Sequence, residues 1–158
     1  MIKEVYGNIL LSQAGAIVQG IANNEDFSQG LASSVKEKWP GIEDDFKQCC
    51  CNSKLQPGDL WAWKNADGVD VINLITRGAP NNTSNTASLD NLDHSLARLG
   101  TLVEERGIKS LAVPKIGTDV GGLDWRDVKP LIEKHLGKLN IPVYLYTIYS
   151  KNMAAVED

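Results

Sequence analysis

The chain has 158 residues, 42% hydrophobic and 23% charged, with a formal net charge of −4. That length suits one domain, and that balance excludes a disordered tail, a collagen-like repeat and a low-complexity linker. No apolar run approaches the ~20 residues of a membrane-spanning helix. The scattered Lys and Arg form no block that would grip a phosphate backbone, so sequence-specific nucleic-acid binding and membrane docking are not expected. A small anionic ligand stays open, because backbone amides bind phosphate without net positive charge. Cys49, Cys50 and Cys51 are adjacent, with no spacing that suggests zinc and no strain-free way to pair. With an N-terminal stretch that lacks a signal peptide's apolar core, they point to a reducing cytoplasm.

In chain order, Lys3–Tyr6 and Ala16–Ile21 read as strands. Ser28–Trp39 has helical spacing at Leu31, Val35 and Trp39, and Pro40-Gly41 stops it. Ile42–Cys51 is a shorter helix. Asp59–Trp63 and Val69–Ile75 read as strands joined through Asn65-Ala66-Asp67-Gly68, a hairpin-type turn. Ser88–Arg106 is the longest helix, with Leu89, Leu92, Leu96, Leu99 and Val103 three and four apart and Gly107 as its C-cap. Ser110–Val113 is a strand, Trp125–Leu136 a helix and Val143–Ile148 the last strand. Six strands and four helices in this order predict a three-layer α/β/α domain around a central mixed, mostly parallel sheet, spanning residues 1–150. Residues 151–158 read as a frayed tail.

Two loops follow a strand and precede a helix, at the sheet edge where ligands of open α/β proteins bind. The first runs Ala22-Asn23-Asn24-Glu25-Asp26-Phe27-Ser28-Gln29-Gly30. The second is Pro114–Trp125, where Gly117, Gly121 and Gly122 permit backbone that turns several N–H groups onto one anion. The helix after Asp124 would add the positive end of its dipole if aimed at the site. The second loop is neither a P-loop nor a dinucleotide fingerprint. A phosphate cradle and an ordinary glycine-rich connection are the two readings of the second loop.

Gly7-Asn8-Ile9-Leu10, Ala16-Ile17-Val18 with the Asn-containing loop to Gly30-Leu31-Ala32, Asn73-Leu74-Ile75-Thr76 and Val113-Pro114-Lys115-Ile116-Gly117 together resemble a macrodomain. The similarity is greatest to the compact branch of terminal ADP-ribose protein glycohydrolase, the antitoxins that strip ADP-ribose from DNA, and yeast-type ADP-ribose-1″-phosphate phosphatase. The resemblance implies an ADP-ribose ligand; no cofactor and no metal are expected, and the chain is expected to act as a monomer. It implies that Asn8 and Ile9 read the adenine edge, and that Asn24 and Gly30 hold the distal ribose with Phe27 packed on it. Gly117, Thr118, Val120, Gly121 and Gly122 would cradle the diphosphate, and Tyr149 would flank the adenine. Asn8 as a plain turn residue, Asn24 as an Asx turn and Phe27 as a core anchor are the structural alternatives.

The relatives' catalytic residues are not all present. Arg77 stands where the glycohydrolases have a lysine, Gly121 where they have an aspartate, and Gln19 where the phosphatases have a histidine. An arginine stays protonated and cannot act as nucleophile. Asp119 remains, either as a turn former or as the acid that orients water, with Asn24 as its partner and Glu25 and Asp26 as rival acids. His94 and His135 read as solvated helix residues, and 80–87 as a lid over the pocket. Three functions follow from this set: a hydrolase of ADP-ribose derivatives, a non-catalytic ADP-ribose reader, or a scaffold for another partner.

Overall fold

A computed structural model describes residues 1–53, 55–65, 67–78, 88–118 and 121–157, with backbone alone for 50–53. The elements are β1 (Ile2–Gly7), β2 (Ala16–Ala22), α1 (Gly30–Lys38), α2 (Gly41–Ser53), β3 (Leu60–Lys64), β4 (Asp70–Arg77), α3 (Leu89–Arg106), β5 (Leu111–Val113), α4 (Trp125–Leu136) and β6 (Val143–Tyr149), with a 3₁₀ turn at Ile9–Leu11. The strands lie in the order β1-β6-β5-β2-β4-β3. Every neighbouring pair is parallel except β3 with β4. This is the mixed, mostly parallel six-stranded sheet that the sequence predicts.

Alternation along the strands divides the core in two. Ala16 and Val18 of β2 and Ile72 and Leu74 of β4 pack with Leu92, Leu96 and Leu99 of α3 and Val128 and Ile132 of α4. Ile17, Ile21, Val71 and Ile75 point the other way, onto Val35 of α1 and Ile42 and Phe46 of α2. Each fully buried Leu or Ile side chain contributes about 1.5–3 kcal/mol, so either helical layer is held mainly by its apolar stripe. The helix ends follow local chemistry: Ser88 accepts from Asn91 N–H at the start of α3, and Gly107 closes it at φ 64°.

Two expectations are corrected. Residues 151–157 do not fray. Ser150 N–H donates to Gly7 O at 3.2 Å, Asn8 N–H to Met153 O at 2.8 Å, and Ser12 Oγ to the Glu157 carboxylate at 2.7 Å. The partners lie some 140 positions away, so no local pattern announces them. His135 is buried, with Nε2 2.6 Å from Asp93 Oδ1. That hydrogen bond holds the Asp93 carboxyl below the usual carboxylate range. His94 is exposed.

Among the described residues no helix is long and apolar enough to cross a membrane. The expected lid at 80–87, Asp119, Val120 and the side chains of Cys50 and Cys51 lie outside the described residues.

Candidate functional site

Because β1, β2, β4, β5 and β6 run the same way, their C-terminal ends share one sheet edge. The segments that leave them enclose a cleft of about 920 Å³, lined by Asn8, Ile9, Gly20, Glu25, Gly30, Arg77, Gly117, Thr118, Gly121 and Tyr149 among others. This is the range of small-molecule and cofactor sites. Of the residues singled out from sequence, Asn8, Ile9, Gly30, Gly117, Thr118, Gly121 and Tyr149 line it, whereas Asn24, Phe27 and Gly122 do not.

At the floor, Gly20 lets two segments meet. A Cβ there would stand 2.9 Å from Ile116 Cγ2 and 3.3 Å from Thr76 Cγ2. Beside it, Gln19 Nε2 donates to Asn73 Oδ1 at 2.7 Å, and Asn73 Nδ2 donates to Trp61 O and Val71 O. Those carbonyls only accept, so both amides have one orientation. Gln19 Oε1 is then buried without a hydrogen-bond partner among the described residues, a cost of about 1–3 kcal/mol.

The first loop is held by an ion pair. Glu25 Oε1 accepts from Ala22 N–H at 3.1 Å and Arg77 Nη2 at 3.2 Å, and Oε2 accepts from Phe27 N–H at 3.0 Å. The two side chains are only 6% and 12% exposed. Glu25 is therefore a brace, not the free acid entertained from sequence. Phe27 is the core anchor of its two readings. It is 1% exposed and meets Phe46 edge-on at 5.6 Å, which holds it at φ 56° despite its Cβ. Asn24 is exposed in the turn.

That loop delivers α1 to the cleft. Gln29 supplies no side-chain cap, Gly30 turns in at φ 60°, and Gly30, Leu31 and Ala32 line the cavity. The opening amides of a helix have no intrahelical acceptor, so α1 presents N–H groups and the positive end of its dipole.

The second loop contributes backbone. Gly117, at φ 76°, accepts from Leu123 N–H at 2.8 Å, and Thr118 Oγ1 donates to Lys115 O. Gly122 also has φ 76° but stands exposed off the cleft, so its use is the turn itself. The helix that follows is not an anion site. Asp124 accepts from Arg126 N–H at 2.9 Å, and the Arg126 side chain grips it again. That side-chain hydrogen bond, with the backbone one, takes its carboxyl down to about 2. The N-terminus of α4 thus carries its own anion, which overturns its expected contribution to the cradle.

At the opposite end Asn8 caps the 3₁₀ turn: Oδ1 accepts from Leu10 N–H at 3.0 Å, and Nδ2 donates to Lys151 O at 2.8 Å. Tyr146 forms part of the wall, its hydroxyl bonded to Glu157. Burial first, and that carboxylate second, push this hydroxyl above the usual tyrosine range. Tyr149 and Ile148 are 68% and 64% exposed at the mouth. The features that sequence reasoning missed are the Gln19–Asn73 pair, the Glu25–Arg77 brace and the 150–157 segment. The first two become legible only once β2 and β4 are in register, with Gln19 opposite Asn73 and Ala22 opposite Arg77.

The family model described as Macro domain matches residues 42–132. A Thermosipho africanus protein named DNA ADP-ribosyl transferase-DNA ADP-ribosyl glycohydrolase fusion protein is 27% identical over 97% of this chain and 43% of its own length. The chain spans about two fifths of the length of the first curated relatives it matches. Its fold superposes on the macrodomain of Mycobacterium tuberculosis DarG with a TM-score of 0.85, at 25% identity and covering 92% of this chain and 97% of that one. On Thermosipho africanus DarTG in complex with ADP-ribose the TM-score is 0.83, at 27% identity, covering 92% of this chain and 41% of that one. With a family model matching more than half of its residues, and this sheet order and cleft, the chain belongs to the macro domain family.

Proposed function

We propose that the protein binds ADP-ribose and hydrolyses ADP-ribose derivatives. The observation that carries this is the meeting, in one cleft, of an α1 N-terminus without a side-chain cap and the glycine-bearing stretch of residues 114–118 and Gly121. Backbone N–H groups from two segments lining one cleft would suit a diphosphate. The glycohydrolase named in the Thermosipho relative, and the ADP-ribose held by the superposed DarTG, support the choice of ligand. In this reading Gly30, Leu31, Ala32, Gly117 and Gly121 donate to the diphosphate. The adenine lies toward Asn8 and Tyr149, and the distal ribose toward the Glu25–Arg77 brace. We take it to act as a monomer, and its adjacent cysteines suit a reducing cytoplasm.

Hydrolysis forms a bond from a water oxygen to the anomeric carbon and breaks the bond to the leaving group, which departs with the electron pair and takes up a proton. The chain's contribution is to position and distort the ribose, and Asp119 is the acid assigned to orient the water. Glu25 is given the structural part instead, because its carboxylate already holds Ala22 N–H, Phe27 N–H and Arg77. One observation favours a reader instead: Arg77, a permanent cation bound to Glu25, cannot be a nucleophile.

Calorimetry with ADP-ribose, and mass spectrometry on an ADP-ribosylated oligonucleotide, an ADP-ribosylated protein and ADP-ribose-1″-phosphate, separate these readings. Release of ADP-ribose that is lost in Asp119→Ala while binding survives supports the hydrolase. Binding without release from any substrate makes the protein a reader. Absence of ADP-ribose binding ends both.

A further inference from the structure

We propose that residues 150–157 act as a specificity element, locking the Asn8 side-chain amide in the one orientation that selects adenine at the base end of the cleft. The inference rests on the ADP-ribose reading above and adds to it the question of how the base is chosen.

The geometry begins with what each partner of Asn8 is able to do. Leu10 N–H only donates and meets Oδ1 at 3.0 Å; Lys151 O only accepts and meets Nδ2 at 2.8 Å. The amide therefore cannot turn over while both partners stay in place. Its oxygen keeps one further acceptor position and its nitrogen one further hydrogen, on a residue that lines the cleft. Oxygen and nitrogen at fixed places match adenine, which offers an amine beside a ring nitrogen acceptor. Hypoxanthine offers the reverse, a carbonyl beside a ring N–H, and would need the amide turned over.

Leu10 belongs to the same turn as Asn8, so it tracks it. Lys151 sits in a turn just past β6, closed by Met153 N–H donating to Ser150 O at 3.2 Å, and its carbonyl stays in place only if the 150–157 segment does. Glu157 clasps the far end: its carboxylate accepts from Ser12 Oγ at 2.7 Å, from Gln13 N–H at 3.0 Å and from the Tyr146 hydroxyl, and its backbone carbonyl accepts from the Tyr144 hydroxyl at 3.3 Å. Between clasp and lock, Asn8 N–H donates to Met153 O. Gly7 runs so close beneath that a Cβ on it would lie 2.7 Å from the same oxygen. The segment is built against β1 and its turn at three points, and the lock lies at one end of them.

The test is the ratio of affinities for ADP-ribose and inosine diphosphate ribose, measured by calorimetry on the full chain and on Glu157→Ala. The two ligands share their diphosphate and sugars. A chain that is merely less stable weakens both alike and leaves the ratio unmoved. The unaltered chain is expected to prefer ADP-ribose by about tenfold or more, the span of one good paired contact to a base. In Glu157→Ala the ratio falls below about threefold as the amide becomes free to turn. Glu157→Gln, whose carbonyl still accepts from Gln13 N–H, retains most of the preference. If Glu157→Ala does not fold, Ser12→Ala, which removes one partner of the clasp, carries the same comparison. Equal affinity for both ligands in the unaltered chain overturns the proposal, as does an unchanged ratio in the variant; in either case the ADP-ribose reading stands. Failure of the unaltered chain to bind either ligand overturns both.

Discussion

Two helices follow the two glycine-bearing loops, and their first turns have opposite fates. α1 begins at Gly30 after a Gln29 that makes no side-chain cap, and its opening residues line the cleft. α4 begins after Asp124, whose carboxylate takes the Arg126 amide and is gripped by the Arg126 side chain. Both helices carry the same macrodipole, but only one leaves its positive end for a ligand. A good cap and an open anion site are alternatives, because they compete for the same N–H groups. A strong N-cap motif therefore argues against ligand binding at that turn, even where the preceding loop is rich in glycine.

That contrast is broken most severely by putting a carboxylate into the open site. Gly121→Glu and Gly30→Asp are each expected to weaken ADP-ribose binding by about 100-fold or more, ~3 kcal/mol, through like charge and bulk against the diphosphate. Unchanged affinity in calorimetry for Gly30→Asp would mean that α1 is not the donor. Next comes the brace that delivers α1. Glu25→Ala leaves the Arg77 charge nearly buried without its partner, an expected loss of ~3 kcal/mol in urea unfolding. Retained stability would show that the pair does not hold the loop. A smaller effect tests the floor. Gly20→Ala drives a methyl into Ile116, costing ~1 kcal/mol and weakening ADP-ribose severalfold by displacing the start of the 114–122 loop; wild-type affinity would separate that loop from β2.

The smallest change should fall on the capped helix. Asp124→Ala lowers the melting temperature at pH 7 and leaves ADP-ribose affinity as it was. The Asp124 carboxyl is depressed from 3.8 to about 2. Its stabilisation is therefore present above pH 3.8 and is lost as pH falls toward 2. The difference in melting temperature between the two proteins should shrink over that window. A difference that persists at pH 2 would show that the cap does not act through its charge.

Much of this was legible in the chain itself. The apolar stripe of Leu92, Leu96, Leu99 and Val103, the Ser88 and Gly107 caps and the strand runs are local patterns, and the helices and strands formed within a residue or two of where they were read. The set of loop glycines was legible too, because positive φ at Gly30 and Gly117 is a property of single residues. Side-chain roles were less so. Phe27 looked like a ribose platform and is a core anchor; Glu25 looked like a spare acid and is a brace; residues 151–157 looked frayed and are clasped.

Amino-acid order alone determined the elements, their alternation and the ligand edge, since hydrophobic period, capping and chain direction act over a few residues. Only the tertiary structure decided which helix N-terminus opens on the cleft, which acid is already paired, and which atom of the Asn8 amide meets which partner. Glu25 with Arg77 and Asn8 with Lys151 are separated by 52 and 143 positions, and strand register, not sequence, brings such groups within a hydrogen bond.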